Sequence, residues 1–376
     1  MRNLLLFPVC FFMFNMHTEA YCQESDETIR IMFWNVENFF DPFDDSLTLD
    51  DEFTSRGDHN WTWERFNQKL INLYKVIAAA GWRCPDIIGL CEVENKWALE
   101  QLTRKTPLSK YEYRIIHEHS PDLRGIDVAM LYLPDSFRPL DIQFIPVTGL
   151  NYDDDTTRDI LFVKGLLRSQ DTVNIFVNHW PSRYGGQIET RHKRLAAATV
   201  LKQRIDSLFI AESGSKIIVM GDFNDEPRDE SISEILGVKS LGLELPGVEL
   251  QRFDKVLHPS INDTAKSPVP KYVFFRNGLY CLIPPFKKSI TGTLKFEGRW
   301  FLFDQFIISG GLLNELSSYE TIIMSYDFLL EPDEAYTGQK PFRTYNGYIY
   351  KGGYSDHLPV LLELRLISGD RITKGI

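Results

Sequence analysis

The stretch Lys216–Pro227, KIIVMGDFNDEP, runs an apolar segment, Ile217–Met220, into a glycine and then into Asp222, Asn224, Asp225 and Glu226. The apolar part reads as a short strand buried on both faces. The polar part has two readings. Asp and Asn end strands because their side chains form turns with the local backbone, and Asp225-Glu226-Pro227 can open a helix. In the other reading, acceptors that repel one another are gathered at a strand end for chemistry. Taken alone, the stretch does not choose between them.

The same design recurs along the chain. The apolar runs IRIMFWN, DIIGLCEV, DVAMLYL, LDIQFIPV, ILFVKGLL, TVNIFVNHW, LFDQFIIS and LPVLLELRL have the length and the Val, Ile and Phe content of strands. Between some of them lie helical patterns. TWERFNQKLINLYKVIAAAG places Phe66, Leu70, Leu73 and Ile77 at helical spacing and ends at Gly81, a C-cap candidate. ETRHKRLAAATVLKQRIDSLFIA is a second amphipathic helix. Strands interspersed with helices, and no repeated unit, indicate a layered α/β (α+β) domain. We expect one domain over 23–370 with loop insertions at about 41–63 and 241–296, the first acidic and aromatic, the second rich in proline and aromatics.

Composition narrows the function. The chain has 376 residues, 43% of them hydrophobic, and a net charge of −11. Proteins that grip nucleic acid mainly through phosphate contacts carry a basic surface, so this balance argues against a tight non-specific DNA binder. It leaves room for a local basic cleft or a bound cation.

The N-terminus reads as an export signal. Arg2 precedes LLLFPVCFFMF, an apolar core too short to span a bilayer, and a small-residue cleavage pattern follows, giving a signal peptide over 1–22. The expected location is periplasmic or extracellular. A lipidated Cys22 is the alternative, disfavoured by Tyr21 before it. No other run is long enough for stable membrane insertion, and no obligate protein partner is evident. Cleavage leaves Cys84, Cys91 and Cys281, too few for a disulfide framework and without metal-ligand pairing.

Polar residues sit where the apolar runs stop. Asn35 and Glu37 follow the first strand, and Glu92 follows the second. His179 ends TVNIFVNH, and Asp222 and Asn224 end the stretch quoted above. Asp304 lies within a strand, and Asp356 and His357 precede the last one. Each has an ordinary explanation singly: a turn, a solvated carboxylate, a satisfied core histidine. Jointly they are hard to explain without a shared site where loops converge at one end of a sheet. Carboxylates and amides without thiolates suit a hard cation such as Mg²⁺, Mn²⁺ or Ca²⁺ rather than Zn²⁺. Two histidines with carboxylate partners suit proton transfer and support of developing negative charge. Together they are equipment for attacking a phosphoester.

The motifs FWNVEN, GLCEVEN, NHWPSR, GDFND and SDHLPV, spread over nearly the whole mature chain, resemble in order and spacing those of the endonuclease/exonuclease/phosphatase superfamily with the deoxyribonuclease I-like fold. RGIDVAMLY and VNHWPSRYGG look especially like its uncharacterised secreted members. The resemblance implies a four-layer sandwich: two mixed β-sheets packed face to face, with helices outside. It implies that Asn35, Glu92 and Asp356 hold a divalent cation, Mg²⁺ first among the candidates, with Glu37 nearby. Asp222 would orient or deprotonate water, and Asn224 would hold a phosphate oxygen. His357, set by Asp304, and His179, set by Asp127, would face the phosphate. Arg158, with Arg124 and Arg183, would bind it. The implied activity is metal-assisted hydrolysis of a phosphodiester by a nuclease-type enzyme. The alternatives are a phosphatase or phosphodiesterase for lipid, inositol or other small phosphoesters, and an inactive binding protein.

Overall fold

The structure, a computed structural model, describes residues 28–46, 48–149, 156–241, 274–287 and 289–367. The expected signal peptide, and residues 242–273 of the second expected insertion, lie outside these.

Every apolar run named above forms a strand, and the strands collect into two sheets. The first contains β1 (Thr28–Phe39), β2 (Ile87–Val93), β3 (Arg114–His117) and β4 (Asp127–Tyr132). The second contains β5 (Phe137–Ile145), β6 (Ile160–Leu167), β7 (Thr172–His179), β8 (Ile217–Asp222), β9 (Val238–Leu241) and β10 (Leu279–Leu282). A hairpin of β11 (Leu294–Phe296) and β12 (Arg299–Phe301) precedes β13 (Asp304–Ser309), which joins the second sheet. β14 (Leu316–Ile323) and the C-terminal strand Val360–Leu366 complete the first. The strand orders are β14, C-terminal strand, β1, β2, β4, β3, and β5, β6, β7, β8, β13, β10, β9. Both sheets are mixed: β1 runs parallel to β2 and antiparallel to the C-terminal strand, and β7 runs parallel to β8.

The four layers follow from side-chain alternation. On β1, Ile29, Ile31 and Phe33 point toward the second sheet and meet Val163, Ile175, Ile218 and Phe306. The intervening Met32, Trp34 and Val36 point outward and pack on Phe66, Leu70, Leu73 and Ile77 of α1 (Trp63–Ala78) and on α2 (Lys96–Lys105). On the far side, Phe176, Val219 and Ile307 pack on Ala197, Ala198, Leu201 and Ile205 of α3 (Arg191–Ala211). Both faces of the central strands are therefore covered. This is why their sequences read as unbroken apolar runs rather than strict alternations.

Two local expectations change. Gly81 does not cap α1, whose last helical residue is Ala78. It has φ +133°, a backbone conformation strained for any residue with a Cβ, and a Cβ there would also meet the Arg30 guanidinium at 2.5 Å. No helix opens at Asp225: the next helical turn is Ser231–Ile235, and Asp225 is buried. Cys84, Cys91 and Cys281 are buried free thiols. Among the described residues, no helix is long and apolar enough to cross a membrane.

Candidate active site

The site is assembled where β1, β2, β7, β8 and β13 end or begin at one edge of the sandwich. Strand register does much of the work. His179 lies opposite Asp222 in the β7–β8 pair, and Asp304 lies opposite Asp222 in the β8–β13 pair. Cross-strand partners share a sheet face, so three adjacent strands deliver one row: His179, Asp222, Asp304. All three are buried. Two buried carboxylates side by side repel, and the row needs a cation. His357 supplies it, with Nδ1 2.7 Å from Asp304 Oδ2 and Nε2 3.7 Å from Asp222 Oδ2. Burial works to lower its pKa, but Asp304 and Asp222 outweigh burial and hold the imidazole well above its usual value. Asp222 is pushed up to about 6, chiefly by burial, with Asp304 adding and His357 opposing.

The other half of the site is shaped by broken register. β1 and β2 pair regularly to Asn35–Cys91, then shift before Phe39–Val93. Within the shift Glu37 has φ 51° and Glu92 has φ 61°, left-handed values rare for residues with a Cβ. Such bulges re-aim side chains, and strain of this kind gathers at functional sites. Asn224, just beyond β8, is left-handed too, with φ 50°. Asn35 Nδ2 donates to Glu92 Oε1 at 3.2 Å and to Asp222 Oδ2 at 3.0 Å, tying the two halves together. The Asn38 amide donates to Glu92 Oε2 at 2.9 Å.

Glu37, Glu92 and Asp356 form a carboxylate group around two basic side chains that sequence reading missed. Arg343 donates from Nε to Glu37 Oε1 at 3.2 Å and from Nη2 to Asp356 Oδ2 at 3.0 Å. Lys69 of α1 is buried, donating to Thr344 Oγ1 at 2.6 Å and to the Tyr354 carbonyl at 2.7 Å. Burial first, and Asp356 second, push Glu37 up to about 7. At Asp356 burial acts upward too, but Arg343, His357 and Lys69 overcome it and leave the carboxyl below its ordinary value. Burial lowers Lys69 to about 8, although Glu37, Asp356 and Glu92 resist. Carboxylates and the Asn35 amide, with no thiolate, form a donor set that fits a hard divalent cation. A lysine three residues after Phe66 on the apolar face of α1 was a visible signal. Arg343 had none: it lies in the short connection between the strands Gln339–Pro341 and Tyr345–Asn346, neither of which is an apolar run.

His179 faces the same centre, with Nε2 3.9 Å from Glu92 Oε1 and 3.8 Å from Asp222 Oδ2. Its Nδ1 is buried without a partner. Burial, reinforced by Arg158, Arg124 and His357, keeps its pKa well below the usual value, so the ring is neutral. Asn224 Nδ2 donates to the Trp180 carbonyl at 3.0 Å, and its backbone N–H donates to Asp222 Oδ1 at 3.0 Å.

Two expected assignments are corrected. Asp127 does not pair with His179. Its Oδ1 accepts from the Ser120 amide and hydroxyl, and its Oδ2 lies 3.0 Å from His117 Nε2. It begins β4, on the sheet opposite β7, and its carboxylate is taken up by the end of β3 and the loop after it. Arg183 is turned to protein partners through Nε and Nη2. It donates to the Asn224 carbonyl, Asp225 and Asp229, and stacks over Phe303. Asp225, expected to start a helix, is the anchor of this clamp, binding Arg183, Arg194 and Ser231.

Arg158 is buried, donating to Asp122 Oδ2 at 2.9 Å and to the Trp180 carbonyl at 2.8 Å, with Nε unpartnered. Arg124 is half-exposed, with Nε 3.5 Å from Asp122 Oδ1. The charges of both arginines reach His179.

Comparison with known proteins agrees with the fold described above. The sequence matches the profile of the Endonuclease/Exonuclease/phosphatase family over residues 30–252 and 251–366. No curated protein matches. Among solved structures, truncated TDP2 of Caenorhabditis elegans is similar at 15% identity and a TM-score of 0.51, covering 90% of this chain and 97% of that one. An endonuclease/exonuclease/phosphatase family protein of Bacteroides thetaiotaomicron is similar at 14% identity and a TM-score of 0.50, covering 91% and 96%. A functionally unknown conserved protein of Enterococcus faecalis V583 is similar at 13% identity and 0.50, covering 90% and 100%. At these identities the likeness is one of fold.

Proposed function

Because the chain belongs to the endonuclease/exonuclease/phosphatase family, we propose that it is a divalent-metal-dependent phosphoesterase, and that it hydrolyses phosphodiester bonds in the manner of a nuclease. The observation that carries this reading is the row His179, Asp222, Asp304 with His357 bridging the two carboxylates. Asp222, raised to about 6, is ionised at neutral pH yet basic enough to accept a proton from water. His357 is held protonated by Asp304 and presents Nε2 to the same centre, where it can donate to a phosphoryl oxygen as negative charge builds. His179 is neutral and can donate from Nε2 without repelling His357. Asn224 retains an amide hydrogen for a phosphate oxygen, and Arg124 is accessible from solvent.

Asn35, Glu92, Asp356 and Glu37 would hold the cation, Mg²⁺ by the hardness of the donors. When bound, it supplies Lewis-acid neutralisation of the phosphoryl oxygens.

A second reading keeps this chemistry on a small or lipid-linked phosphoester. The net charge of −11 favours it, because a long polyanion would meet repulsion away from the cleft. We also propose that the chain is exported, on the strength of residues 1–22. N-terminal sequencing of the protein recovered outside the cytoplasm tests this, with an intact Met1 overturning it.

A substrate panel with Mg²⁺ or Mn²⁺ tests the main reading: plasmid DNA, RNA, sphingomyelin, inositol phosphates and bis-p-nitrophenyl phosphate. Turnover of a phosphodiester that EDTA abolishes is the expected result. No turnover of any phosphoester, or turnover indifferent to EDTA, would overturn it.

A further inference from the structure

The residue row HEHSPDLRGID, His117 to Asp127, contains a His-x-His pair that the active site does not use. His117 ends β3, and His119 lies two residues on, so the extended backbone turns both rings to one side. The rings converge on a single oxygen, Asp127 Oδ2, at 3.0 Å from His117 Nε2 and 3.4 Å from His119 Nδ1. All three donor atoms lie within 4.8 Å of one another.

A hydrogen bond accounts for His117 alone. His119, an exposed side chain, stands edge-on to the His117 ring, with centroids 5.2 Å apart, and reaches the same, already engaged oxygen. The two spacings to Oδ2 also match those between ligands of one ion. Nitrogen and oxygen ligands about 2.0–2.1 Å from a tetrahedral ion stand roughly 3.3 Å apart. The other carboxylate oxygen is held in place by Ser120, which donates to Oδ1 through its amide at 2.9 Å and its hydroxyl at 2.5 Å. Such outer hydrogen bonds orient ligating carboxylates. The His117 and Asp127 side chains are buried, whereas His119 opens to solvent, which leaves room for a water ligand. Further negative charge surrounds the cluster. Glu118 and Asp127 both act on Asp159, whose Oδ1 is buried without a partner.

We propose that His117, His119 and Asp127 form a second divalent-metal site, for a borderline ion of the Zn²⁺ type. Two imidazoles and one carboxylate select such an ion over Mg²⁺. The oxygen donors of the catalytic centre have the opposite preference. The site joins the two ends of the 118–126 connection. That connection carries Asp122, the ion-pair partner of Arg158, and Arg124. Occupancy would therefore brace the segment that holds both arginine charges near His179.

The test is a Co²⁺ titration of the purified full chain, stripped with chelator and held in excess Mg²⁺ to fill the oxygen-rich centre. Wild type should take up one equivalent with a visible ligand-field band. His119→Ala, a change at an exposed side chain, should keep its circular dichroism and weaken this uptake at least ~10-fold. His179→Ala and His357→Ala should leave the band in place. The proposal is overturned if no band forms, if the band survives in His119→Ala, or if it disappears in the His179 or His357 variant. Should His119→Ala misfold, His119→Asn provides the same comparison.

Discussion

Asp222 and Asp304 face each other across the antiparallel β8–β13 pair, two buried carboxylates at one cross-strand position. Like charges so placed destabilise a sheet, and the fold tolerates them because the His357 imidazolium lies against both. The electrostatic problem created by the register is thus the source of the acid and base proposed for the site.

Replacing Asp304 with Asn tests that coupling. The amide can still meet His357 Nδ1, but it no longer stabilises positive charge, so the imidazole pKa should fall. We expect kcat to drop by ~10²–10⁴-fold, the range of one general acid or base. The alkaline limb of the pH–rate profile should move to lower pH. An alkaline limb that stays in place would show that His357 does not act as the protonated partner.

Asp222→Asn should separate function from stability. Activity should fall by a similar ~10²–10⁴-fold, because the base is gone. The sign for stability is the reverse. With a folded pKa raised to about 6 from an ordinary 3.8, Asp222 favours the folded state only while protonated. Its contribution is fully present below the unfolded pKa and is lost as pH rises through 6. The amide variant should therefore melt higher than wild type at pH 8, with the gap closing toward pH 4. A variant that melts lower at pH 8 would contradict this.

The fold and much of the site were legible because they rest on local signals. Apolar runs with polar ends mark strands buried on both faces, and those ends carry Asn35, Glu92, His179, Asp222 and Asp304. What stayed hidden depends on long-range placement. Nothing local shows that Asp127 turns to His117 rather than His179, since that choice depends on which sheet each strand joins. Asp225 reads as a helix start because Asp-Glu-Pro has that local preference. Its burial among Arg183, Arg194 and Ser231 comes from the packing of α3 and the loop before it. Arg343 reaches Glu37 across 306 residues of sequence, with no pattern to announce it.

Arg343→Met should expose the demand for a cation. The variant leaves Glu37 and Asp356 without their guanidinium partner, a loss of about 1–3 kcal/mol for a pair that is only partly buried. A cation bound only by the folded state restores stability by mass action. Thermal melts in EDTA should show the loss, and added Mg²⁺ should raise Tm more in the variant than in wild type. Equal Mg²⁺ responses would mean that these carboxylates do not hold the ion.

Two glycines at the sheet interface should respond differently to alanine. A Cβ at Gly221 would lie 2.6 Å from both the Asn178 Cβ and its backbone oxygen, and backbone in a parallel pair cannot retreat. At Gly89 the nearest atom is Met220 Cε, at 2.8 Å, the free end of a flexible side chain. Gly221→Ala should destabilise by about 1–3 kcal/mol and disturb the β8 end that carries Asp222. Gly89→Ala should lose less in denaturant melts. The reverse order would show that the β7–β8 pair has slack not visible in its register.

Glu94 gives a pH signature independent of catalysis. It is nearly fully buried beside Asp41 and accepts a hydrogen bond from the Asp41 amide at 2.5 Å. Burial, with Asp41, Asp50 and Asp45 adding, pushes its pKa up to about 9. A carboxyl raised this far is neutral in the folded protein at pH 7 and ionised in the unfolded chain, so folding takes up a proton. Stability from this group is complete below about 4.5 and drains away as pH climbs to 9. Glu94→Gln keeps an oxygen for the Asp41 amide and removes the titration. The variant should therefore flatten the stability profile between pH 5 and 9, and at pH 9 it should exceed wild type by at least about 1 kcal/mol, given 1.36 kcal/mol for each pKa unit. Parallel profiles for the two proteins in urea melts across this range would show that Glu94 ionises in place, with solvent or a cation compensating its charge.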